Sequence, residues 1–278
     1  MLIKQTMGQI LVGTQGWNYD AWVGPFYPKG TRPANFLEVY ARAFGTVEVD
    51  STFYAIPAAK TVEGWAGRVP DGFRFALKLP RAITHEQGLE DADGILRAFV
   101  DHARLLGGKL GPVLVQLGPD FGPERRRALE RFLPRLPSDV RFAVEFRQAG
   151  WLEPSVLRLL GDHGVALALA DGRWVPRERL LELTAEPTTD FAYVRWMGPD
   201  RRIEDYSAVV VDRGHEIAEW AAALAALAAK VSAVHSYFNN HYQGHSPESA
   251  RTLQRLLGQR AVDPAELREQ PDLFDAGA

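Results

Sequence analysis

Glu48, Asp50, Lys78, Glu145 and Asp171 are the residues whose types and placement point most directly to chemistry. Each lies in or at the end of a short β-rich run. In the stretch Val47-Glu48-Val49-Asp50-Ser51-Thr52-Phe53-Tyr54, strand alternation puts Glu48, Asp50 and Thr52 on one face. Val47, Val49 and Phe53 take the other. A parallel sheet covered by helices needs an apolar outer face, so the two carboxylates are predicted to point inward. The same parity turns Lys78 inward, because Phe75 and Leu77 occupy the outer positions. Glu145 and Arg147 share a face between Val144 and Phe146. Gln116 ends the fourth run, Asp171 closes the sixth, Arg195 ends the seventh, and Asn239 and His241 follow the eighth. Carboxylates that can trade protons, set beside cations that can hold an anion, suit acid–base work on a polar, anionic ligand. A structural ion-pair network uses the same residues: Glu48 or Asp50 with Lys78, and Glu145 with Arg147 or Arg195. Buried charges must be paired or used in either case. The candidate catalytic set is therefore Glu48, Asp50, Lys78, Glu145 and Asp171. The candidate ligand-binding set is Trp17, Tyr54, Gln116, Arg147, Arg195, Asn239 and His241.

The elements that must position these groups follow from the pattern. Strands are predicted at 10–14, 46–53, 73–79, 112–117, 140–146, 165–170, 191–196 and 232–238. Helical stretches separate them. The first opens with Pro33 and stops before Gly45, a good start and stop pair. The helices after the second and sixth strands look short or irregular. Eight strands joined by crossovers imply a parallel sheet, and eight close naturally into a barrel. A length of 278 residues fits one such barrel. An open doubly wound sheet is the alternative, but Gly13-Thr14-Gln15-Gly16 lacks the dinucleotide-binding spacing. The fold class is thus a single α/β barrel of the (β/α)8 TIM type over 1–258. A polar tail is predicted for 259–278. The loop after the first strand carries Trp17, Tyr19, Trp22, Phe26 and Tyr27. These either plug the barrel's side or form a stacking wall for a sugar or base.

Composition narrows the function classes. There is no cysteine, which excludes disulfides, thiolate nucleophiles and cysteine-based metal sites. The net charge of −3 excludes a strongly basic coat, though not a local basic patch. No apolar stretch reaches the ~18 residues of a membrane span, and the N-terminus lacks the pattern of a secretory leader. A cytoplasmic protein is the expectation. No histidine pair has the helical spacing of a zinc protease. His85 and His241, with the mouth carboxylates, could hold a hard divalent ion, but hydrogen bonding is the simpler role for both. No metal ligand is assigned.

Several segments together resemble the YecE-like family, or domain of unknown function 72. They are Gly13-Thr14-Gln15-Gly16-Trp17 with Phe26-Tyr27-Pro28; Glu48 to Tyr54; Phe75-Ala76-Leu77-Lys78-Leu79-Pro80 with Thr84-His85; Ala143-Val144-Glu145-Phe146-Arg147 with Trp151; and Tyr237-Phe238-Asn239-Asn240-His241 with Gly244. The resemblance implies a TIM-type barrel and no particular reaction. The chain departs from the family pattern at Asp50, where Asn is usual, at Met197, where His is usual, and around His245–Ser249. Any mechanism that needs a strand-seven histidine is in question here.

Three functions remain open. The first is an enzyme acting on a nucleic-acid or nucleotide phosphate, a phosphodiesterase-like hydrolase in its most specific form. The second is a sugar or sugar-phosphate hydrolase or isomerase. The third is a non-catalytic recruiter of nucleic acid or protein. Near the C-terminus, Gln270, Leu273 and Phe274 resemble the short peptide by which bacterial proteins dock on the replication sliding clamp. A Leu-Phe pair would enter an apolar pocket while Gln supplies directed hydrogen bonds. Deletion from Gln270 onward is expected to abolish clamp binding in a pull-down without altering the barrel's melting temperature. Unchanged capture would refute the docking role.

Overall fold

In the computed structural model, which describes residues 7–200 and 202–268, all eight β-rich runs are strands. They are β1 (Gln9–Gln15), β2 (Thr46–Val49), β3 (Arg74–Lys78), β4 (Leu110–Gln116), β5 (Phe142–Glu145), β6 (Val165–Gly172), β7 (Phe191–Gly198) and β8 (Ala233–Phe238). All neighbours pair in parallel and in chain order, and β8 returns to β1, which closes the barrel. Around it run α1 (Phe36–Ala43), α2 (Ala59–Gly67), α3 (Asp93–Ala103), α4 (Arg126–Phe132), α5 (Pro154–Asp162), α6 (Arg177–Leu183), α7 (Gly214–Ala228), the short α8 (Asn240–Gln243) and α9 (Ser246–Leu256). No helix among the described residues is long and apolar enough to cross a membrane.

Alternation divides the buried residues into two clusters. The larger lies between sheet and helices and includes Val47, Val49, Phe75, Leu77, Trp196 and Trp220. The smaller fills the barrel itself: Ala76, Leu114, Ala143, Ala166, Ala168, Phe191, Tyr193 and Tyr237. Four alanines on β3, β5 and β6 leave the space that two tyrosines on β7 and β8 occupy. Close packing of a barrel interior demands such a match of small and large.

The structure corrects several expectations. β2 ends at Val49, and residues Asp50–Phe53 form a 3-10 turn. The Thr52 hydroxyl holds that turn by donating to the Val49 and Lys78 carbonyls at 2.9 and 2.7 Å. Asp50 is therefore not carried inward by strand parity and stays partly exposed. The aromatic loop after β1 is a plug: Trp22, Phe26 and Tyr27 are fully buried, and Tyr27 stacks on Phe36 at 4.4 Å. The chain does not leave the barrel at Gly258. The Gln259 amide donates to the Ile10 carbonyl at 2.9 Å, Leu267 is buried, and Arg268 donates to the Gly24 carbonyl at 2.9 Å.

Tight packing at β1 leads to a test. A Cβ on Gly13 would sit 2.2 Å from the Thr46 carbonyl oxygen of the adjacent strand, whereas one on Gly64 in α2 meets nothing within 4 Å. Gly13→Ala is expected to lose about 1–3 kcal/mol of stability by overpacking. Gly64→Ala should gain about 0.5–1 kcal/mol from reduced backbone entropy in the unfolded chain. Urea unfolding measures both.

Candidate functional site at the barrel mouth

Arg195 is the centre of the polar cluster. It lies in the C-terminal half of β7 with 1% of its side chain exposed. Its Nε and Nη2 donate to the two oxygens of Glu48 at 2.9 and 2.7 Å, and Nη1 donates to Glu145 Oε2. Since β7 borders neither β2 nor β5 in the sheet, these contacts cross the barrel interior. The inward direction inferred from alternation is thus met at Glu48 and Glu145, and Arg195 faces them across the interior. Tyr193, two residues before Arg195 on the same face, donates its hydroxyl to Glu48 Oε2 at 2.6 Å. Arg147 reaches the other Glu145 oxygen at 3.3 Å. Asp50 stands 3.9 Å from Arg195 Nη2.

Position sets the ionisation of these groups. Burial pushes the Glu48 carboxyl up, with Arg195 opposing and nearby Asp50 adding to the rise. Burial also acts on Glu145, but Arg195 and Arg147 together outweigh it and hold that carboxyl below its usual range. Arg195, despite burial, is kept firmly charged by Glu145 and Glu48.

Lys78 has a different setting. Its side chain is buried at the end of β3, and its Nζ sits 3.9 Å from the centre of the Phe53 ring. Among the described residues no carboxylate oxygen lies within 4.0 Å of that nitrogen, so the predicted Glu48–Lys78 or Asp50–Lys78 pair is not formed. Burial, followed by repulsion from Arg195, lowers its pKa to about 8. His85, in a π-helical turn after β3, faces the same side. Its Nδ1 lies 2.8 Å from the Thr84 hydroxyl, and burial, Lys78 and Arg147 lower its pKa. Gln116 completes this side on β4, adjacent in register to Glu145, with its amide on the Leu117 carbonyl at 3.2 Å. Tyr54 projects above, 73% exposed, edge-on to Phe53 at 5.3 Å.

Other candidates serve different ends. Asp171 is not at the mouth. It pairs in register with outward-facing Trp196, accepts from Trp220 Nε1 of α7 at 2.8 Å, and lies 3.3 Å from Arg177 Nε of α6. The alternation of β6 explains this, since Leu167 and Leu169 already mark the odd positions as outward. Trp17 packs edge-on against Trp65 at 5.8 Å and Phe75 at 6.4 Å, on the helix side of the sheet. Asn239 caps α8 through the His241 N–H at 2.8 Å and donates to Gln15 Oε1 at 2.8 Å, joining β8 to β1. His241 Nε2 meets the Tyr206 hydroxyl at 3.1 Å. Gln270, Leu273 and Phe274 lie outside the described residues.

Sequence reasoning overlooked three participants. Tyr193 and Gln15 were available from parity, as the inward neighbours of Arg195 and Gly13. Tyr206 was not, because it comes from an irregular loop whose path no local pattern encodes. Gln15 donates to Met197 Sδ at 3.1 Å, so that methionine belongs to this same rim.

The family model described as "Protein of unknown function DUF72" matches residues 11–272. The chain belongs to the DUF72 family. It is 32% identical over 175 residues to UPF0759 protein YecE of Escherichia coli K12, covering 61% of this chain and 62% of that protein's length. It is 25% identical over 270 residues to UPF0759 protein YunF of Bacillus subtilis, covering 89% and 94%. The solved structure of a DUF72 family protein from Thermotoga maritima superposes with a TM-score of 0.75 at 25% identity, covering 90% of this chain and all of that one.

The contrast between Glu145 and Lys78 can be measured. The Lys78 pKa falls from 10.5 to about 8 on folding, so between those values the unfolded chain holds a proton that the folded chain has released. Stability therefore rises with pH across that window. Lys78→Met is expected to remove the rise and to be at least as stable as the parent at about pH 7. Glu145→Gln takes one of its two close counter-charges from buried Arg195 and should cost about 3 kcal/mol. Urea unfolding near neutral pH and again at about pH 10 compares them. A Lys78→Met protein much less stable than the parent would show that the amine is a structural partner.

Proposed function

We propose that the barrel mouth is the active site of an enzyme acting on a nucleotide phosphate, with Lys78 as its acid–base group. The observation that carries this reading is a buried amine at the mouth with no carboxylate oxygen within 4.0 Å among the described residues. A phosphate dianion beside it would supply the missing counter-charge and draw Lys78 back to its protonated form. With a pKa of about 8, the amine can accept a proton near neutral pH and return it to a leaving oxygen. Arg147, 15% exposed and beside Glu145, is a second cation on this side of the barrel. Exposed Tyr54 offers an aromatic face on which a base can stack.

The donor set does not favour the other chemistry considered. A glycosidase pair needs two carboxylates facing each other across open space, and the Arg195 guanidinium fills the gap between Glu48 and Glu145. Those carboxylates are likewise committed to arginine rather than open to a divalent ion. Among the described residues no three His, Asp or Glu side chains gather as a ligand set.

Calorimetric titration with a nucleoside monophosphate and its parent nucleoside tests the reading. The monophosphate is expected to bind at least ~10-fold more tightly, the effect of one charge-assisted contact. Lys78→Met should erase that difference. Equal binding of the two ligands, or a preference that survives the substitution, would sink it.

A further inference from the structure

At the opposite, N-terminal end of the barrel lies a cavity of about 310 Å³ lined by Arg74, Arg104, Asp139, Arg141 and His235 among others. His235 is the inward residue of β8 one layer below Tyr237, opposite Tyr193 in register. It is 3% exposed, and neither ring nitrogen has a hydrogen-bond partner among the described residues. A buried imidazole with a donor and an acceptor both unmet is costly, and such groups normally have an occupant to satisfy them.

The charges around it are unbalanced. Asp139 is held in a two-point contact by Arg104, at 2.9 and 3.0 Å. Among the described residues the one carboxylate paired with Arg141 is the exposed Asp190, at 3.5 Å. The Arg74 guanidinium donates to the carbonyls of Asp71 and Phe73 at 3.1 and 3.0 Å, and no carboxylate among the described residues lies within 4.0 Å of it. Two arginines thus lie at a cavity whose inner wall presents an unpartnered imidazole.

We propose that this cavity binds a phosphate dianion, free or as the end of a small monoester, through Arg74, Arg141 and His235. The two guanidiniums match the dianion in charge, and the imidazole N–H reaches a remaining oxygen. The volume admits a tetrahedral anion with a short ester. The ionised groups facing His235 are Arg74 on β3, Arg104 before β4, and Asp139 and Arg141 before β5. Without an anion, burial followed by Arg141 and Arg74 holds the imidazole neutral, with its pKa down at about 3. A bound dianion opposes the arginine part of that field and raises the His235 pKa. The site is separate from the mouth, which lies at the other end of the same strands.

Histidine-ring NMR of the full chain in an oxyanion-free buffer tests this. Inorganic phosphate and glycerol phosphate, titrated separately, are expected to shift the His235 signals saturably. The tighter of the two identifies the source. Arg74→Met with Arg141→Met should weaken the effect at least ~10-fold, while Lys78→Met should leave it intact. Should the double variant fail to fold, Arg141→Met alone, which replaces a half-exposed side chain, carries the same comparison. His235 signals unmoved by either compound overturn the proposal, as does an equal response in the arginine variants. A response lost in Lys78→Met also overturns it, because the phosphate then acts at the mouth.

Discussion

A guanidinium inside a β-barrel is the constraint on which the rest of this structure depends. Moving Arg195 and two glutamates out of water carries a large desolvation cost, offset only if the geometry is nearly saturated. The interior supplies that geometry: a two-point contact with Glu48, a third bond to Glu145, and the Tyr193 hydroxyl on Glu48. Alanines at 76, 143, 166 and 168 clear the volume below. Arg195 takes both carboxylates, and among the described residues none is left within 4.0 Å of Lys78 Nζ.

The barrel is graded along its axis. At the C-terminal end is the charged cluster around Arg195. In the middle is a layer of tyrosines, where Tyr237 shares a hydrogen bond with Thr46 at 2.8 Å and Tyr193 reaches up to Glu48. At the N-terminal end are His235 and the arginines around it. Function in such barrels concentrates at the C-terminal loops, with the other face serving stability. A ligand at the lower cavity is compatible with that division, because anything that binds only the folded chain stabilises it.

Much of the site was legible from alternation, and the exceptions have specific causes. Glu48, Lys78, Glu145 and Arg195 lie in regular strands, where a period of two fixes direction. Asp50 escaped because β2 stops at Val49 and the 3-10 turn breaks the period. Asp171 was misplaced for the opposite reason: strand parity holds there and turns it outward, but its position at a strand end suggested the mouth. Trp17 and its aromatic neighbours could have been wall or core by type alone, and only the packing of Trp17 on Trp65 of α2 and of Tyr27 on Phe36 of α1 decides for core.

By itself the sequence determined the eight strands, the inward set on most of them, the absence of thiol chemistry and the family resemblance. These follow from local periodicity and composition, which act over a few residues. The tertiary structure alone decided which charges pair. Strands β2, β5 and β7 meet across the barrel only when the sheet closes, so no sequence pattern could show that Arg195 would take both glutamates and leave Lys78 without one. Closure likewise brings residues from β3, β5 and β8 around His235, an assembly that separations of about 60 to 160 residues hide from any reading along the chain.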